Sequence, residues 1–139
     1  MQGFSAGAII SANVNFVAPE GNSGNAGFSS RAAAAVPISG AVWPFFFNSV
    51  DQSFEPPTPY FAVHGDVDTR VYPFLATLSY RWFNYAGLEG AANRLVMVQG
   101  GGHVPWQGSC HTKACQEMNT RDRLRPVIMS WLAQQMGCG

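Results

Sequence analysis

Charge is scarce in this chain. Among 139 residues, eight Lys and Arg balance eight Asp and Glu, only 12% of positions are charged, and the formal net charge is zero. These charges are scattered, so no basic face is on offer to a nucleic acid or an anionic membrane surface. No apolar stretch approaches the roughly 20 residues of a membrane span, and residues 1–20 carry no charged n-region of a secretory signal. Cysteine is sparse too, with Cys110, Cys115 and Cys138. An odd count excludes a fully paired disulfide framework. Cys110 and Cys115 could close a short disulfide loop, which would place the protein in an oxidising compartment, or remain reduced thiols. With His103 and His111 the pair also offers metal ligands, but the spacing matches none of the usual zinc patterns.

What is present is apolar and aromatic: 47% hydrophobic and 13% aromatic residues. That is the composition of a globular chain, and its length suits one domain, residues 1–139.

Against this background the start of the chain stands out. Gly3-Phe4-Ser5-Ala6-Gly7 reads G-x-S-x-G, the spacing of a nucleophile elbow, in which a serine sits at a sharp strand-to-helix turn with its hydroxyl exposed. Glycines suit both flanks because a side chain there is expected to strike backbone as the chain reverses. Taken alone, the same residues would also suit an N-terminal loop. Ala6 to about Val14 can continue as a helix, until the turn-rich insert Pro19 to Gly27 breaks it.

Downstream, the pattern alternates strand, loop and helix. Ala32 to Ser39 is an apolar run that suits a strand covered on both faces, with Pro37 a blemish because proline gives up a ladder hydrogen bond. Trp43-Pro44-Phe45-Phe46-Phe47 follows, and could either line an apolar substrate pocket or pack in the core. After the proline-rich connector Asp51 to Pro59, a second strand, Tyr60 to Val63, ends in His64-Gly65-Asp66-Val67-Asp68. Val71, Phe74, Leu75, Leu78, Trp82 and Tyr85 then recur at helical spacing up to Gly87, a candidate C-cap. The third strand, Leu95 to Val98, leads into Gln99-Gly100-Gly101-Gly102-His103, where three glycines imply close backbone approach. From about Thr120 to Met136 an amphipathic helix is expected to face the sheet with Leu124, Val127, Ile128, Trp131 and Leu132, with Gly137 after its end. This order implies an α/β fold with a parallel sheet of about three strands and flanking helices. Ser5, Asp68 and His103 would then share one edge of it.

Those residues carry a resemblance. Gly3 to Gly7, His64-Gly65-Asp66-Val67-Asp68 and Gly101-Gly102-His103, in the order Ser, Asp, His, resemble the α/β-hydrolase superfamily, in particular esterases related to polyhydroxybutyrate depolymerases and feruloyl esterases. The resemblance implies a serine hydrolase of carboxylic esters that needs no cofactor or metal, with Ser5 as nucleophile, His103 as general base and then acid, and Asp68 as the carboxylate that orients the imidazole. The backbone N–H of Ala6 would hold the oxyanion. Asp66 would tie its turn, and His64 would shape the loop rather than serve as a second base. Trp43, Phe45 and Trp106 are tentative pocket residues, Trp106 either walling the pocket or packing.

The resemblance reaches from residue 3 to the last helix, the second half of such a fold. The strands ahead of the elbow, including the one leading into Gly3, and the loop donating the second oxyanion hydrogen bond would be missing. Loss of that donor raises the barrier by about 3 kcal/mol. A part of a longer hydrolase, weakly active or inactive alone, is therefore expected. Its partners would be a small-molecule or polymeric ester substrate and a complementary N-terminal half or a second copy. The alternative is a non-catalytic hydrolase-like module that binds an apolar ligand or a partner protein.

Overall fold

The structure is a computed structural model; it describes residues 1–13, 32–42, 58–106 and 121–138, with the side chains of 121–123 left aside. Trp43 and Phe45, residues 51–57 of the connector, His111, and Cys110 with Cys115 all lie outside the described residues.

Among the described residues four parallel strands form one sheet in the order β1 (Gln2–Phe4), β2 (Val36–Ile38), β3 (Tyr60–Gly65), β4 (Asn93–Val98). Three α-helices among those residues accompany it: α1 (Ala6–Asn13), α2 (Pro73–Tyr85) and α3 (Arg121–Gln135). The α/β class is as expected, but the sheet has one strand more than the sequence suggested. Gln2–Phe4 forms the strand that leads into Ser5, which the sequence was expected to lack, pairing Gln2, Gly3 and Phe4 with Val36, Pro37 and Ile38. Three residues are too few to show a period of two, which is why the strand escapes a reading by pattern.

β2 is shorter than the apolar run that contains it. Ala35 makes only an isolated bridge to Tyr60. Ala35 N–H donates to Pro59 O and Ser39 N–H to Val63 O, so the donor that Pro37 lacks falls between these two bonds toward β3. The β2–β3 register accordingly reduces to Ile38 opposite Val63.

Alternation along β3 separates two cores. Phe61 and Val63 meet Val36, Ile38 and Val98 together with Leu124, Ile128 and Trp131 of α3. Tyr60 and Ala62 meet Ala12 of α1, Phe83 of α2 and Leu88 on the opposite face. Trp131 contacts Phe61 edge-on at 5.3 Å between ring centroids, and its Nε1–H donates to Ala91 O at 2.6 Å. The indole thereby fills the core while its one polar atom is satisfied.

Both long helices stop by the same device. Gly87 at φ +90° and Gly137 at φ +67° enter the left-handed region. After α2, Leu88 N–H bonds Phe83 O and Gly87 N–H bonds Asn84 O; after α3, Cys138 bonds Ala133 and Gly137 bonds Gln134. These are Schellman closures, which satisfy carbonyls that a helix end leaves orphaned.

The apolar stripe of α2 faces outward, and on α3 one residue expected at the sheet is corrected. α2 buries Ala76, Ser79 and Phe83, whereas Phe74, Leu78 and Tyr85 are 58%, 53% and 88% exposed. At about 100° per residue these two sets point in opposite directions. Small residues turn inward because the chain after β2 lies against this helix, with Val42 N–H donating to Ser79 Oγ at 2.9 Å. On α3, Leu124, Ile128 and Trp131 face the core as expected and Leu132 packs against them, but Val127 is exposed.

Candidate active site

The site is built at the carboxyl ends of β1, β3 and β4, the edge where open parallel sheets bind ligands. Ser5 is the single residue between β1 and α1, with φ of +54°. A non-glycine residue in that region carries strain of about 1–3 kcal/mol and persists only where its surroundings hold it. Here Ser5 N–H bonds Ile38 O at 3.0 Å, and Ser5 O accepts from Ala8 N–H and Ile9 N–H at 2.9 and 3.0 Å. The backbone is locked on both sides. The hydroxyl is left to project from the turn.

Only one of the two flanking glycines is there for space. A Cβ on Gly3 would lie 2.0 Å from Gly7 O and 2.7 Å from Ala8 N, whereas a Cβ on Gly7 meets nothing within 4 Å. The expectation that both would collide is corrected: Gly3 lets the helix turn back over the strand, and Gly7 faces open space. Gly40 performs the same service from β2, since its Cβ would stand 2.4 Å from Ala8 Cβ.

Asp68 is delivered by the turn after β3. That turn lies against the β4 loop so closely that a Cβ on Gly65 would approach Gly101 O and Gly102 O to 2.1 and 2.3 Å. The close approach implied by the glycine run is therefore between these two loops. Asp66 ties them: its Oδ1 accepts from Gly100 N–H at 2.6 Å, and Val67 N–H donates to Gly101 O at 3.0 Å. Gly100 itself sits at φ +70°.

This clamp brings Ser5, His103 and Asp68 together. His103 Nδ1 is 2.9 Å from Asp68 Oδ2, and His103 Nε2 is 2.9 Å from Ser5 Oγ. A carboxylate only accepts, so Nδ1 carries the hydrogen, Nε2 presents a lone pair, and the Ser5 hydroxyl donates to it. The Asp68 side chain is fully buried. Burial alone pushes its carboxyl up, but hydrogen bonds from His103, Arg70 N–H and Val71 N–H, with the imidazole's charge, outweigh that and hold it below the usual carboxylate range. Asp68 is thus kept ionised beside the ring.

Ala6 begins α1, so its N–H is among the amides that a helix leaves without an intrahelical acceptor. Trp106 lies against the core that holds Phe61 and Trp131, and its ring stands 6.1 Å from that of Phe4. Phe4, which the motif treats as a variable position, is the residue sequence reasoning passed over. Its ring is 5.2 Å from that of His103, and the signal available was its place beside Ser5 on an exposed strand end. Among the described residues no three His, Cys, Asp or Glu side chains gather to hold a metal ion. Cys138 is an exposed free thiol.

Solved structures share this architecture. Esterase PE8 superposes with a TM-score of 0.62 at 22% identity, over 96% of this chain and 48% of its own. The fold is that of part of an α/β hydrolase. A variant of Arabidopsis thaliana SOBER1 gives 0.59 at 18% identity over 97% and 52%, and a truncated carbohydrate esterase from gut microbiota gives 0.59 at 15% over 97% and 59%. The chain spans about half the length of these hydrolase-fold structures. No protein-family model and no curated protein matches the chain. Among the described residues no helix is long and apolar enough to cross a membrane.

Proposed function

We propose that this chain is the part of a serine hydrolase of carboxylic esters that carries its Ser-His-Asp triad. The observation that carries the reading is the continuous path from Ser5 Oγ through both nitrogens of His103 to Asp68 Oδ2, each gap 2.9 Å. Serine is a weak nucleophile at its own pKa and needs a base within hydrogen-bond reach. His103 Nε2 takes the Ser5 proton as Oγ attacks the ester carbonyl, and the ionised Asp68 stabilises the imidazolium that forms. The developing oxyanion lies toward Ala6 N–H and the positive end of α1. The imidazolium then returns its proton to the leaving alkoxide, and water releases the acyl group from Ser5 by the same steps in reverse.

The names of the structural neighbours support esters as the substrate class. Phe4 beside His103, with Trp106 against Phe4, favours an apolar or aromatic acyl group, the kind that polyhydroxybutyrate depolymerase-like and feruloyl esterase-like enzymes take. Hydrolysis of p-nitrophenyl acetate, p-nitrophenyl hexanoate and methyl ferulate tests this. Turnover that Ser5→Ala abolishes is expected, with the longer or aromatic acyl group preferred. Turnover unchanged in Ser5→Ala would reject the triad.

A second reading is a non-catalytic module that binds a partner. It is favoured by Met1, Phe4 and Ile10, which are 55%, 42% and 57% exposed around β1, an edge strand among the described residues. Concentration-dependent association in light scattering, with no ester turnover, supports that reading; a monodisperse active monomer rejects it.

A further inference from the structure

The second histidine of the site is not absorbed by the reaction. His64 is the penultimate residue of β3 and is 0% exposed, on the sheet face of Tyr60 and Ala62. Its Nε2 lies 2.8 Å from Val71 O and 3.2 Å from Asp68 Oδ2. Both of these atoms are acceptors, so Nε2 must carry a hydrogen, which it donates to Val71 O with Asp68 Oδ2 close beside it. Nδ1 is buried and meets no partner among the described residues. Placing a proton there as well would bury an unpaired N–H, so the ring is held as the Nε2–H tautomer.

The hydrogen bonds around Asp68 give that tautomer a purpose. Oδ1 accepts from Arg70 N–H at 2.8 Å and Val71 N–H at 3.1 Å. Oδ2 accepts from His103 Nδ1–H at 2.9 Å, and His64 Nε2 stands 3.2 Å from it. Val71 links the two side chains, since its N–H holds Oδ1 while its C=O accepts from His64 Nε2–H. Without His64 the Val71 carbonyl would lose its buried donor, and the Val71 N–H that holds Oδ1 would be less firmly placed.

We propose that His64 is a positioning residue for the Asp68–His103 pair, donating Nε2–H to Val71 O, whose N–H holds Asp68 Oδ1, and lying 3.2 Å from Oδ2, so that the carboxylate keeps its alignment with His103 Nδ1. This rests on the serine-hydrolase reading for its kinetic consequence, though not for its hydrogen bonding. His64 does not touch the reacting atoms. Its effect runs through geometry, to which catalysis is steeply sensitive: a displacement of about 1 Å can lower a rate about a hundredfold.

Two variants and one measurement on the unaltered protein test the proposal. His64→Gln retains an amide donor at about the depth of Nε2, and His64→Met fills similar space without one. The rate at which a fluorophosphonate labels Ser5, and kcat and KM for a p-nitrophenyl ester, are compared in variants whose thermal transitions remain cooperative. His64→Met is expected to lower labelling rate and kcat about 10- to 100-fold with KM changed less than about twofold, and His64→Gln to recover to within about threefold of the parent. A His64→Met protein that labels at the parental rate overturns the proposal, as does a His64→Gln protein no better than His64→Met. Should the variants fail to fold, 15N-histidine NMR of the unaltered chain decides: there are three histidines to assign, and an Nε2–H tautomer at His64 supports the proposal while an Nδ1–H tautomer overturns it. Failure of the parent to label at all rejects the hydrolase reading instead, and the tautomer measurement keeps the two failures apart.

Discussion

The carboxyl edge of the sheet and the outer face of α2 were both marked by strong sequence patterns, and the structure treats them in opposite ways. At the edge, Asp68 is buried with every oxygen partnered and His103 is held between Ser5 and Asp68. On α2, Phe74, Leu78 and Tyr85 lie in the open, while Ala76 and Ser79 pack inward. The edge is set by backbone events a few residues long, such as the left-handed Ser5 and the contact between Gly65 and Gly101. A local sequence can specify those. An apolar stripe, by contrast, says only that a helix has an apolar side. Which side meets the sheet depends on what the helix must lie close to, and here that is the chain around Val42.

The largest effect should come from breaking the edge. Asp68→Asn leaves the shape intact but removes the acceptor that fixes the His103 tautomer, and is expected to lower kcat about 10⁴-fold in an ester assay. Next comes the contrast between the elbow glycines. Gly3→Ala drives a Cβ against backbone and should destabilise the fold by about 3 kcal/mol, the upper end for overpacking, because the obstacle cannot rotate away. Gly7→Ala meets open space inside a helix and should stabilise by up to about 1 kcal/mol. Paired denaturant titrations measure both.

Acid should weaken the edge selectively. The folded carboxyl of Asp68 is held below its unfolded range, so its stabilising contribution is fully present above the unfolded value of about 3.9 and is lost as pH falls through the lowered folded value. Thermal transitions from pH 6 to pH 2 should therefore show a loss of stability that Asp68→Asn reduces. The smallest effect belongs to α2. Leu78→Lys should change stability by less than about 0.5 kcal/mol in the same titration, because the side chain leaves no core. A loss above about 2 kcal/mol would mean that this face is covered.

The same contrast explains how much was legible. The order Ser, Asp, His and the strands ahead of Asp68 and His103 could be read because glycine punctuation and short apolar runs are local features. β1 could not, since its three residues acquire meaning only by pairing with Val36–Ile38. Pro37 was correctly seen as a flaw in a ladder, yet the strand carries it by giving up one bond toward β3. The role of Phe4 depends on a ring 99 residues later in the chain, and His64 depends on which of its nitrogens reaches Asp68. Both are facts of tertiary geometry. Val127 shared the apolar character of its neighbours on α3 and still faces outward, because Leu124, Ile128 and Trp131 already fill the sheet side.

The central claim is that Ser5 is an activated nucleophile. Incubation with a fluorophosphonate followed by intact-mass and peptide analysis tests it directly. The account predicts one covalent adduct per chain, located on Ser5, that disappears in Ser5→Ala and slows severely in His103→Ala. A cooperatively folded protein that acquires no adduct, or acquires it at another residue while Ser5 stays unmodified, would contradict it.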